Sequence, residues 1–189
     1  MPIKGKSLGD CVDQLRSHLN RLLACTVTPT PLVVFSVPPR MHLTFRQAGQ
    51  PTAVELHTKF GRMGLFLGQI CESRLSEDQK HTLMTVAYTY SLRPLSASEP
   101  LFRWEYVRQP RADARWCRHH LQGPILLDFG EQQALLNDFH VPTGWVTIEE
   151  VLRFCIVDLG VRPLHDDWHD ELMQSYQLFK TEFSVLGKA

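Results

Sequence analysis

The sequence predicts a single α+β domain over residues 1–189, an antiparallel β-sheet meander with an N-terminal helix and two C-terminal helices packed on it. Three observations carry this. Residues 83–92 alternate large apolar with smaller or polar side chains at strand period. Phe102, Trp104 and Tyr106 repeat that alternation, with Arg103 and Glu105 facing the other way. The last third then opens with Thr147-Ile-Glu-Glu150, the signature of a capped helix. With 43% hydrophobic and 21% charged residues, the chain has ordinary globular composition, which excludes disordered, collagen-like and coiled-rod classes. A chain of this length buries roughly 70% of its unfolded surface, so its core requires neither disulfide nor metal.

Taken in order, Ser7 caps a first helix whose apolar positions Leu8, Val12, Leu15, Leu19 and Leu22 form one stripe up to about Ala24. Thr26 to Pro39 carries Pro29, Pro31, Pro38 and Pro39 around Leu32–Phe35, which limits it to a short edge strand or an extended connection. Residues 41–47, 53–60 and 63–70 read as short strands. Gly61, Gly64 and Gly68 read as turn and bulge residues, because no Gly-Lys-Ser/Thr follows to make a phosphate loop. In Leu83–Leu92 the expected buried set is Met84, Val86, Tyr88, Tyr90 and Leu92. A turn over Pro94–Pro100 leads into Leu101–Val107. A second over Pro110–Ala114 leads into Arg115–Leu121, completing the meander. The helix Ile148–Leu159 has a Thr147/Glu150 capping box, a Val146/Val151 staple and Gly160 at its end. A last helix begins near Asp167 and carries Trp168, Leu172, Tyr176, Phe179, Phe183 and Leu186 as a stripe.

The formal net charge of zero hides a split: residues 1–127 hold 16 Lys and Arg against 9 Asp and Glu, residues 128–189 hold 4 against 11. Arg93, Arg103, Arg108, Arg111, Arg115 and Arg118 crowd beside His119 and His120. That basic stretch suits phosphate or an acidic partner, or docks on the acidic C-terminal third. Five scattered cysteines without a Cys-x-x-Cys pair fit a reducing compartment. The N-terminus lacks the apolar run of a signal peptide, and no stretch approaches the ~20 apolar residues that span a bilayer. A soluble cytoplasmic protein without membrane contact is expected.

His165-Asp-Asp-Trp-His169 has the spacing of a zinc-protease helix, but Pro163 and an Asp cap put His165 outside the helix, so no metal site is expected there. Cys117, His119 and His140 form a second, weaker metal candidate. There is no Gly-x-Ser-x-Gly elbow and no dinucleotide fingerprint, and no cofactor is expected. What remains is the polar face of the meander. His119, His120 and Glu105 are the candidate catalytic residues; Arg103, Arg108, Arg115 and Arg118 are the candidate nucleic-acid-binding ones. Imidazoles move protons near neutrality and Arg stabilises a charged phosphorane, the requirements of metal-independent RNA cleavage by the 2′-hydroxyl. Adjacent strand residues face opposite ways, so only one of His119 and His120 shares a site with Arg103 and Glu105. The competing reading makes Arg103 and Glu105 a cross-strand ion pair and one His a core residue.

Tyr88-Thr-Tyr90, Leu101-Phe-Arg-Trp-Glu-Tyr106, Cys117-Arg-His-His120 and the helix opening Val146-Thr-Ile-Glu-Glu-Val-Leu152 follow one another in an order that resembles the TumE-like toxin family of prokaryotic toxin-antitoxin modules, over about residues 82–160. Trp104-Glu105 stands where that family's pattern has Tyr-Asp, and residues 123–144 are an added segment. The resemblance implies a toxin or defence protein with RNA as target and an antitoxin as protein partner. The alternative is a non-catalytic interaction module that binds a partner through its C-terminal helices.

Overall fold

The computed structural model describes residues 3–110, 117–128, 130 and 132–186, without the side chains of Asp138 and 178–186. Helix α1 spans Leu8–Thr26, and the Ser7 side chain accepts the Asp10 N–H, as the capping pattern predicts. Its buried face includes Val12, Leu19, Leu22 and Leu23. The sheet follows as β1 (Val33–Val37), β2 (Arg40–Thr44), β3 (Val54–Thr58), β4 (Gly61–Leu75), β5 (His81–Pro94), β6 (Phe102–Val107), β7 (His119–Gln122) and β8 (Val141–Pro142). Helices α2 (Ile148–Val157) and α3 (Trp168–Leu186) close the chain.

The fold is α+β, with the strands in the antiparallel order β8-β7-β6-β5-β4-β2-β1. The Pro-rich segment supplies the edge strand β1, whose five residues lie between Pro31 and Pro38 and contain no proline. Strand β4 is far longer than its partners on one edge: β3 pairs with Gly61–Leu65 and β2 with Gly68–Cys71. Lys4–Gly5 adds a short strand beside β5.

Three sequence expectations are corrected. Gly61 sits in a turn with φ +109°, but Gly64 and Gly68 lie inside the regular pairing of β4 rather than at bulges. The register shift falls between Ile70 and Cys71 and leaves Val86 of β5 unpaired. Because a bulge flips all later side chains to the other face, Met84 opposite Glu72 leaves the face of Val86, Tyr88, Tyr90 and Leu92. The third meander strand is His119–Gln122, not Arg115–Leu121: Cys117 and Arg118 precede it, and Arg115 and Trp116 lie outside the described residues. Residues 111–114 of the expected turn also lie outside them.

All three helices lie on one face. Leu22, Leu23, Leu65, Leu92, Val151 and Leu152, each at most 2% exposed, belong to one core between helices and sheet. Phe154 of α2 meets the rings of Phe102 and Trp104 edge-on at 5.3 and 5.8 Å. Both halves of the Thr147/Glu150 capping box are formed. Gly160, with φ +73°, takes the left-handed conformation that ends α2. In α3, Leu172 is buried and Trp168 packs on the core; the side chains of Phe179, Phe183 and Leu186 lie outside the described part.

Candidate nucleic-acid interface on the helix-free sheet face

Strand alternation divides the meander into two chemistries. On the helix side, Tyr88 and Tyr90 stack at 4.4 Å, and Tyr106 packs on Trp145 at 4.5 Å. The Tyr88 hydroxyl accepts the Val146 N–H at 2.9 Å, which fixes the entry to α2, and burial pushes its pKa up to about 12. His119, opposite Tyr106 in register, stacks on that ring at 4.5 Å. Burial, then the charges of Arg118 and His120, lower its pKa. His119 is therefore a member of the core aromatic cluster and is removed from the candidate site.

His120 points the other way. It stands opposite Glu105, with Nε2 3.3 Å from Glu105 Oε2. Its Nδ1 lies 3.0 Å from the Cys117 carbonyl oxygen, which only accepts, so Nδ1 carries a proton. The Glu105 Oε1 accepts from the Thr89 hydroxyl at 3.3 Å. Arg103 Nε is 3.3 Å from Glu105 Oε2, close enough for an ion pair, although its N–H is not aligned for a hydrogen bond. The guanidinium instead donates to Gln122 Oε1, and the Gln122 amide lies 3.0 Å from His140 Nε2. Glu105 (27%) and Arg103 (32%) reach solvent, whereas His120 (5%) lies behind them.

Sequence reasoning grouped His140 with Cys117 and His119 as metal ligands. The structure separates them: the Cys117 thiol donates to the His119 carbonyl, while the His140 ring lies 4.9 Å from His120 on the other face. His140, Gln122 and Thr89 complete the polar corner, and only strand pairing reveals them. Burial, then the charge of His120, lower the His140 pKa. His165 precedes α3, with its N–H on the Cys25 carbonyl, and so shares no helix face with His169. Among the described residues no cluster of three or more His, Cys, Asp or Glu is arranged for a metal, and no helix is long and apolar enough to cross a membrane. The thiols of Cys25, Cys71 and Cys155 are pushed up to about 11, 12 and 12 by burial, which leaves them poor nucleophiles.

Arg103 belongs to the Glu105 corner, whereas the exposed Arg108 and Arg118 act electrostatically on Tyr106, and Arg118 also on His119. Arg115 lies outside the described residues. Among the described residues no ion pair joins Arg103, Arg108 or Arg118 to the C-terminal acids. Four of those acids occupy helix starts: Glu149 and Glu150 the first turn of α2, Asp170 and Glu171 that of α3.

One rung crosses the open face. Thr44, Gly68, Thr89, Glu105 and His120 are paired in register on five consecutive strands. At the Thr44 end a cavity of about 180 Å³ is lined by Phe35, His42, Phe66, Gly68 and Thr89, among others. Thr89 thus joins the cavity to the Glu105 corner. No family model, curated protein or solved structure matches the chain.

Proposed function

We propose that the protein binds RNA across its helix-free sheet face and cleaves it at the Glu105 corner without a metal. The observation that carries this reading is the solvent-facing Glu105 carboxylate, flanked by Arg103 and backed by His120 on the neighbouring strand. A sheet face with accessible rings and Arg side chains suits single-stranded RNA, whose bases are free to stack. Glu105 takes the 2′-hydroxyl proton, O2′ bonds to phosphorus as the bond to O5′ breaks, and the proton returns through the Glu105–His120 pair to O5′. A 2′,3′-cyclic phosphate and a 5′-hydroxyl are left, with no redox change. Arg103 retains N–H donors for the phosphoryl oxygens. The order of motifs that resembles TumE-like toxins supports the same reading, with an antitoxin as protein partner.

The test is cleavage of a labelled oligoribonucleotide. Glu105→Gln is expected to abolish cleavage while retaining binding. An unaltered rate in Glu105→Gln, or no cleavage by the wild type, overturns the enzymatic reading. A second reading, a non-catalytic interaction module, is favoured by the exposure of Val157 (49%), Leu164 (48%) and Met173 (40%) on the C-terminal helical side. It predicts capture of a protein partner that a Met173→Asp change abolishes and Glu105→Gln leaves intact.

A further inference from the structure

The cavity at the far end of the rung has features the Glu105 corner does not explain. Gly68 contributes no side chain, and the Phe66 ring leans over it so closely that a Cβ there would lie 2.9 Å from a ring carbon. The floor of the cavity is therefore glycine backbone with an aromatic ring beside it. Phe35 and His42 form the opposite wall, their rings 4.8 Å apart, and the Arg46 guanidinium sits 4.6 Å from the centre of the Phe35 ring. Desolvation, then the charge of Arg40, lower the His42 pKa, which favours the neutral imidazole beside Phe35.

Thr44 breaks the apolar character. It lines the cavity, is 4% exposed, and its hydroxyl has no hydrogen-bond partner among the described residues. A buried polar atom without a partner is costly, and a ligand that satisfies it recovers that cost. The size sets the ligand class. A dry cavity of ~150 Å³ holds one benzene ring, and the cavity here is about 180 Å³. It admits a single six-membered ring and is small for a fused bicycle.

We infer that the cavity over Gly68 is a subsite for one pyrimidine nucleobase, stacked on the Phe66 ring and hydrogen-bonded by the Thr44 hydroxyl. The inference rests on the RNA-binding reading and deepens it. Gly68 and Glu105 are two strands apart, roughly 10 Å, so one short oligonucleotide touches both the subsite and the corner. The Thr44 hydroxyl both donates and accepts, and so matches the carbonyl and ring nitrogen of either uracil or cytosine.

The experiment measures binding of oligouridylate, oligoadenylate and free uridine monophosphate to the full chain at low salt, for the wild type and for Thr44→Val and Phe66→Ala. Thr44→Val keeps the side-chain shape and deletes only the unpartnered hydroxyl, so its melting temperature is expected to equal or exceed that of the wild type. Oligouridylate is expected to bind more tightly than oligoadenylate. Thr44→Val should weaken it about fivefold, and Phe66→Ala about tenfold or more. If both variants bind oligouridylate like the wild type while Arg103→Ala weakens it, the subsite is wrong and the RNA reading stands. If uridine monophosphate saturates the wild type but not Thr44→Val, and no oligonucleotide binds, the subsite stands for a free nucleotide and the RNA reading fails. Absence of binding by all three probes overturns both.

Discussion

His18 of α1 and Ser175 of α3 meet with Nε2 2.7 Å from Oγ, and this contact is the middle of a relay through all three helices that ends at a buried carboxylate. The Arg21 guanidinium, which only donates, lies 3.4 Å from His18 Nδ1, so that nitrogen accepts and Nε2 carries the proton. Ser175 in turn donates to Glu149, a carboxylate only 8% exposed in the first turn of α2. The serine is held as a relay for a buried charge and is not an activated nucleophile, because its histidine partner donates to it. Ser175→Ala removes the hydrogen bond that Glu149 accepts and is expected to destabilise the fold by about 1–3 kcal/mol. Equilibrium urea denaturation checks this; an unchanged midpoint would mean that Glu149 needs no such partner.

Acid should destabilise the protein through its histidines. His18, His42, His119 and His140 all have pKa values below the ordinary histidine value of 6.5, chiefly because burial disfavours the imidazolium. The unfolded chain thus takes up protons before the folded one as pH falls. Their stabilising contribution is complete above about pH 6.5 and is lost as pH drops through the lower folded-state values. Melting temperature measured from pH 7.5 to 5 is expected to decline; a flat profile contradicts the burial of these rings.

Thr147→Ala removes the side chain that accepts the Glu150 N–H and one half of the capping box. A loss of about 1 kcal/mol is expected. Thr147→Ser keeps the acceptor and should recover most of it in the same thermal melt.

Gly123→Ala is expected to be among the more damaging substitutions in the chain, at about 2 kcal/mol or more, because the added Cβ would press on the Leu101 carbonyl oxygen, a backbone atom that cannot swing away. Gly130, with φ +86° and, among the described residues, no atom within 4 Å of its Cβ position, carries backbone strain alone on substitution. Gly130→Ala should therefore cost less, and equal midpoints for the two variants would refute the clash.

His119→Ala and His120→Ala should part company. His119 stacks on Tyr106 in the core, so its removal lowers the melting temperature. His120 lies 3.3 Å from Glu105 on the open face, so its removal is expected to lower RNA cleavage while RNA binding persists. Equal effects on both measurements would remove the distinction between the two faces.

Short-range chemistry determined much of this protein from sequence alone. Ser7 with Asp10 and Thr147 with Glu150 lie three residues apart and fix helix starts by their own hydrogen bonds. The alternation of Phe102, Trp104 and Tyr106 against Arg103 and Glu105 set the two faces of β6, and with them the rule that only one adjacent histidine could join Glu105. Which histidine it was depended on register: His120 opposite Glu105 and His119 opposite Tyr106 follow from where β7 begins. Tertiary structure alone decided the rest. The bulge at Val86 turned Met84 to the other face, pairing across five strands aligned Thr44 with His120, and the return of the chain through β8 brought His140 beside the corner. These contacts join residues far apart in sequence, whose meeting is set by strand register and chain reversal, and no local periodicity encodes either.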